Sequence, residues 1–197
     1  MVISAQQVKE LREKTGAGMM ECKKALADSA GNFEEAIKLL RERGIARAAT
    51  KAGRDTSEGV IASYIHPGDK LGVLVEIACE TDFVARTEQF RQFTRNVAMH
   101  IAASSPLCVR REEVDPRLVE QEKEIYRTQA RNEGKPDKIL DKIVDGKVEK
   151  YFSEVVLAEQ PYVKDNDKTV GEYLKETIGS LGENIQIKRF SRFRLGE

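Results

Sequence analysis

Leu71-Gly72-Val73-Leu74-Val75-Glu76-Ile77-Ala78-Cys79 places Leu71, Val73, Val75, Ile77 and Cys79 at every second position. A period of two puts those side chains on one face of a strand. Pro67-Gly68-Asp69-Lys70, just upstream, is a turn sequence, and residues 59–66 supply the strand it joins to the first. Downstream, Phe90, Phe93, Val97 and Ile101 recur at steps of three, four and four, one face of a helix over about 88–104. Ile185 and Ile187 open a last strand that ends near Leu195. Strands, then helices, then a strand predict an α+β fold rather than a doubly wound sheet.

The first 45 residues read as three short helices. Ser4 is placed to cap the first, Gln7 to close a capping box, and Ile3 to staple against Val8. Thr15-Gly16-Ala17-Gly18 ends it. The second helix runs from about Met19 to Ser29, with Met19, Cys22 and Leu26 near one face. Asn32 caps the third, whose face is Phe33, Ile37 and Leu40, and Gly44 is its expected stop. Residues 46–58, Ala-rich and basic, read as an exposed helical linker. The expected division is therefore a three-helix partner-binding domain over 1–45, that linker, and an α+β core over 59–197.

Within the core, Asp115-Pro116 starts a helix with proline at its first position. Glu133-Gly134-Lys135-Pro136 turns the chain, and a second helix follows to about Phe152. The pair is an antiparallel helical hairpin over about 116–152, charged enough to be expected to project from the core. A final helix begins near Thr169, and Gly182 stops it.

Composition narrows the function classes. Hydrophobic residues make up 40% and charged residues 34%, and 33 Lys+Arg balance 33 Asp+Glu. A chain with zero formal charge lacks the basic domain of a general nucleic-acid binder. Residues 1–54 carry eleven basic against seven acidic residues, a modest asymmetry. The basic end, Lys188, Arg189, Arg192 and Arg194, reads as a solvated strand face. Cys22, Cys79 and Cys108 are odd in number and widely spaced, and only two His are present. Neither a disulfide framework nor a zinc site is expected. No apolar run reaches membrane-spanning length and no signal-peptide pattern opens the chain, so a cytoplasmic protein is expected. Gly16-Ala17-Gly18 lacks both the preceding strand and the remaining spacing of a dinucleotide fingerprint. With no nucleophile–base pair, metal cluster or phosphate loop, no catalytic residue, metal or cofactor is expected.

Two motifs carry a resemblance. The first is Val8-Lys9-Glu10-Leu11-Arg12, then Thr15-Gly16-Ala17-Gly18-Met19-Met20 and Cys22-Lys23-Lys24-Ala25-Leu26. The second is Glu80-Thr81-Asp82-Phe83-Val84-Ala85-Arg86, directly after the opening strand. In this order and separation they resemble the elongation factor Ts family, in its short bacterial-type form. Ala98-Met99-His100-Ile101-Ala102-Ala103, Glu133-Gly134-Lys135-Pro136 and Gln160-Pro161-Tyr162-Val163 extend the likeness from about residue 2 to the end.

The resemblance implies a three-helix domain similar to ubiquitin-associated domains, ahead of an α+β core with a small antiparallel sheet and a helical hairpin. It also implies a partner, the translational GTPase EF-Tu, whose GDP release the protein promotes so that GTP can rebind. Thr81, Asp82, Phe83 and Val84 are the segment it implies to enter the GTPase and disturb its Mg²⁺ site. Phe83 is the wedge and Asp82 its partner; Thr81 and Val84 are supports. Arg12, Met19 and Met20 are the implied contact of the N-terminal domain. His100, on the edge of an apolar face, reads first as a structural histidine and by resemblance as a lesser partner contact. Short members are expected to form homodimers, here without a covalent link, since Ser191 lies between Phe190 and Arg192.

The residues alone support a plainer account of the second motif, in which Asp82 or Thr87 caps a helix while Phe83 and Val84 pack in the core. For Met19 and Met20, about 100° apart on a helix, one exposed side chain is expected whichever account holds. Other function classes are a three-helix module binding peptides or ubiquitin-like partners, and an RNA-binding translation protein using the hairpin as an arm.

Overall fold

The computed structural model describes residues 3–197. Residues 1 and 2 of the expected N-terminal domain lie outside the described residues. The order is α1 (Ala5–Thr15), α2 (Met19–Asp28), α3 (Phe33–Lys51), β1 (Glu58–Ile65), β2 (Leu71–Cys79), α4 (Asp82–Ala85) and α5 (Glu88–Ser104). Then come α6 (Pro116–Asn132), α7 (Asp137–Val155), β3 (Pro161–Tyr162), β4 (Asp165–Thr169), α8 (Val170–Leu181) and β5 (Ile185–Arg194). The fold is α+β, with an antiparallel three-stranded sheet ordered β1-β2-β5 and an antiparallel β3-β4 pair. The chain divides into two compact units. One comprises Met1–Val60, Ile77–Phe93 and Glu172–Gln186; the other comprises Ile61–Glu76, Thr94–Gly171 and Ile187–Glu197.

In the first unit, local chemistry starts each N-terminal helix where the sequence places it. Gln7 N–H donates to Ser4 Oγ and Ser4 N–H to Gln7 Oε1, at 3.2 and 3.0 Å, a closed capping box. Gly16, at φ +67°, ends α1 in the left-handed region, and its N–H donates to Arg12 O at 2.8 Å. Asn32 Oδ1 accepts from Glu34 and Glu35 N–H and starts α3. Val8, Leu11, Cys22, Ala25, Leu26, Ala36 and Leu40 close a small core, with Ile3 and Phe33 packed against it.

Gly44 does not stop α3, which runs on to Lys51. A Cβ built on Gly179 of α8 would lie 2.7 Å from the Gly44 Cα. Glycine is therefore required at 179, where the two backbones approach, while a Cβ on Gly44 itself would meet Glu176 Cα at an ordinary 3.9 Å. Gly44 lies inside the helix, packed against α8, and does not terminate it. Arg41, one turn before, reinforces the crossing with Glu172 at 2.7 Å and Glu176 at 3.4 Å. Phe93 and Tyr173 stack at 5.0 Å between ring centroids in the same unit.

In the second unit, β1 and β2 meet through the predicted turn, with His66 N–H donating to Leu71 O at 2.9 Å. Val73 and Val75 are buried while Leu74 between them is exposed, as a two-residue period requires. Asp115 caps α6 by accepting from Arg117 N–H, and Pro116 is its first residue. Gln129 pairs with Lys147, Arg127 with Asp141, and the Tyr126 ring lies under Lys147. These contacts and the short turn over residues 133–136 join α6 and α7 into a helical hairpin. At its base, Arg111 binds Glu149 and Glu159 and stacks 4.3 Å over the Phe152 ring.

Candidate functional site

The Glu80–Arg86 segment leaves β2 at Cys79 and makes a single helical turn, α4, which the sequence reading did not anticipate. Thr81 caps it, with Val84 N–H donating to Thr81 Oγ1 at 3.4 Å. The same hydroxyl donates to Glu183 Oε1 at 2.6 Å, and Thr81 N–H donates to Glu183 Oε2 at 3.0 Å. Thr87 Oγ1 then accepts from Phe90 N–H and donates to Val84 O, opening α5. The Cys79 thiol donates to Thr81 O at 3.2 Å, and burial beside the Glu183 charge pushes its pKa up to about 11.

Held this way, Phe83 is 80% exposed. It does not pack in the core, whose nearby places belong to Ala85, Phe90 and Phe93. Asp82 pairs with Arg86 at 2.8 Å across one helical turn, an exposed contact that a partner can displace at small cost. Val84 is half-buried. Thr81 and Thr87 do the capping, and Asp82 does not.

Met19 is 50% and Met20 73% exposed, and Arg12 is exposed on α1. The expectation of one exposed methionine is corrected to two. Cys22, Ala25 and Leu26 fill the core side of α2, so Met19, in its first turn, remains at the rim. All three residues belong to the same compact unit as Phe83. An exposed aromatic, two exposed methionines and an arginine are the residue types that anchor protein–protein interfaces.

His100 belongs to the other unit and has no exposed surface. Val163 N–H donates to its Nδ1 at 3.2 Å, so Nε2 carries the proton and donates to Gln160 Oε1 at 2.9 Å. Gln160 Nε2 in turn donates to Glu154 O and Ser104 O, at 2.6 and 3.2 Å. Burial lowers the His100 pKa against the raising effect of Gln160.

The sequence reading missed the residues behind the Thr81 turn. Glu80 stands inside the quoted motif, but nothing in it signals that its carboxylate receives Asn184 N–H. Glu183 and Asn184 follow the Gly182 stop and read as a plain loop. Among the described residues, no group of three or more His, Cys, Asp or Glu is placed to hold a metal, and no helix is long and apolar enough to cross a membrane.

A family model described as "Elongation factor TS" matches residues 2–197. Relatives named "Elongation factor Ts" match throughout. That of Geotalea uraniireducens is 57% identical over 197 residues, covering 100% of this chain and 91% of the relative. That of Geobacter metallireducens is 58% identical with the same coverage. That of Nitratidesulfovibrio vulgaris is 56% identical over 196 residues and is covered to 98%. The chain belongs to the elongation factor Ts family.

Proposed function

We propose that this protein is a guanine-nucleotide exchange factor of translation elongation, acting on EF-Tu·GDP in the cytoplasm. The observation that carries the reading is Phe83, 80% exposed on a hydrogen-bonded turn inside the family's second motif. An exchange factor binds the nucleotide-free GTPase better than the loaded one. The coupling is reciprocal, so the factor loosens GDP as much as GDP loosens the factor. Accelerating release by about 10⁴-fold requires about 5.4 kcal/mol. Burying one phenylalanine side chain supplies about 1.5–3 kcal/mol of that, and displaced contacts around the GTPase's Mg²⁺ supply the rest. Phe83 enters the partner and Asp82 exchanges its pair with Arg86 for groups near the metal site. Thr81 and Val84 support the turn. The three-helix domain over 1–45 grips the GTPase through Arg12, Met19 and Met20. The protein makes and breaks no covalent bond itself and uses no metal or cofactor of its own.

We propose also that the protein works as a noncovalent homodimer. Ile61, Ile65, Leu74, Phe193 and Leu195 are exposed, and four of them line one groove. A second copy that covers them removes a contiguous apolar face from water.

Release of fluorescent GDP from EF-Tu tests the main reading. The protein should accelerate release by orders of magnitude at saturation, and no acceleration sinks the proposal. Phe83→Ala should slow the exchange by about ten- to a hundredfold, the range of a lost anchor residue. Its cooperative thermal unfolding should stay at the wild-type midpoint, because an exposed side chain contributes little to the fold.

A further inference from the structure

Two glutamates about a hundred residues apart in the chain exchange backbone partners across two loops. Glu80, after β2, receives Asn184 N–H on Oε1 at 2.6 Å. Glu183, before β5, receives Thr81 N–H and Thr81 O–H on its two carboxylate oxygens, at 3.0 and 2.6 Å. Each carboxylate thus holds the residue that follows the other. The arrangement reaches further. Asn184, 2% exposed, donates from Nδ2 to Arg54 O at 2.7 Å, and the Arg54 guanidinium lies 3.4 Å from Glu80. Arg54 comes three residues after the end of α3, the last helix of the set that carries Arg12, Met19 and Met20.

Phe83 cannot orient itself. Its ring is mostly in solvent and α4 is one turn long, so no packing of its own fixes where it points. Direction has to come from the backbone entering the turn, and Thr81 is where that backbone is held. Carboxylate acceptors make the stronger class of hydrogen bond, and two of them on one residue fix both its amide and its side chain. The β2 and α5 residues on either side are secured by burial of Val75, Ile77, Phe90 and Phe93, whereas Thr81 between them is only partly buried. The clamp therefore acts where burial is weaker, at the residue through which the chain enters the turn.

We infer that Glu183, with its reciprocal partner Glu80, is a positioning element. It sets the direction in which Phe83 and Asp82 are presented and ties that turn, through Asn184 and Arg54, to the end of α3. The inference rests on the reading that Phe83 acts on the partner.

A saturation series of exchange rates tests it, reading the maximal rate and the half-saturating concentration separately. Glu183→Gln and Thr81→Val should each lower the maximal rate by about tenfold, within the cost of displacing a reacting group by a fraction of an ångström to one ångström. The half-saturating concentration should stay within about threefold of wild type, because the grip of the N-terminal helices is untouched. The double variant should be slower than wild type by clearly less than the product of the two single effects, since both variants alter the Thr81 hydroxyl–Glu183 bond and only Thr81→Val also removes the cap on Val84 N–H. Thr81→Ser keeps the hydroxyl and should restore the wild-type rate. Amide hydrogen exchange at Thr81 and Val84 should quicken in Glu183→Gln while the thermal midpoint holds. Phe83→Ala is the reference. If it is slow while Glu183→Gln and Thr81→Val run at the full rate, the positioning role is overturned and the exchange reading stands. If Thr81→Ser behaves as Thr81→Val does, the hydroxyl–carboxylate bond is not what positions the turn. If Phe83→Ala itself exchanges at the full rate, the functional reading falls and this inference falls with it.

Discussion

At the scale of single residues, position in the motif and position in space answer different questions. Phe83 and Phe90 are seven residues apart and equally apolar, yet one is in solvent and the other has no exposed surface. The helical period that marks Phe90 does not reach back across the Thr81 turn, so no pattern could separate the two. His100 shows the converse. Its place on the edge of an apolar face was legible, but the two hydrogen bonds that fix its neutral form come from Gln160 and Val163, far along the chain. Burial of the ring has a measurable consequence, which the Gln160 bond only partly offsets. The folded-state pKa of His100 lies below its ordinary value of 6.5. The folded protein therefore binds fewer protons than the unfolded chain as pH falls through that value. Stability from this group is complete above about pH 6.5 and is lost progressively below it, with a slope of at most about 1.4 kcal/mol per pH unit. Denaturant titrations between pH 7 and 5 should show this slope, and His100→Gln should flatten it, whatever it does to the absolute stability.

At the scale of elements, start signals were read well and one stop signal was not. Ser4, Asn32 and Asp115 cap the helices they precede because a cap is a local bond, made within three residues. Gly44 looks the same in sequence as a glycine that ends a helix. It lies instead against Gly179, 135 positions away, a neighbour that no local pattern reveals. The crossing of α3 and α8 rests on that contact. Gly179→Ala would place a methyl carbon at 2.7 Å from the Gly44 backbone, where no flexible side-chain end can yield. The expected cost is about 1–3 kcal/mol, the range for overpacking a filled interior. Thermal unfolding should show a lowered midpoint, while Gly146→Ala, in α7 with open space around it, should be neutral or slightly stabilising. The β3-β4 pair was missed because two residues in β3 are too few to show alternation.

For the whole molecule, the exposed face of the sheet is the feature that a single copy leaves unexplained. Alternation along β2 predicted that Leu74 would point away from Val73 and Val75. It gave no reason for an apolar residue there, nor for Ile61 and Ile65 on β1 and Phe193 on β5 to share its side. A homodimer through this face accounts for all of them. Sedimentation equilibrium should give twice the chain mass. The double substitution Ile61→Lys and Leu74→Lys should weaken self-association by about tenfold or more, at least 1.4 kcal/mol, while leaving the helical signal unchanged. A monomer at all concentrations in the unsubstituted protein would remove the proposal.

The amino-acid sequence determined the periods and the caps, and with them the α+β class, the helical hairpin and the two motifs that mark the family. Those are properties of neighbours in the chain, set by side-chain spacing and by bonds made within a few residues. Only the tertiary structure decided that Phe83 faces solvent, that Gly44 packs rather than stops, and that Glu80 and Glu183 hold each other's loops. Each of those depends on groups brought together from about a hundred residues or more apart, and such meetings leave no period in the sequence to read.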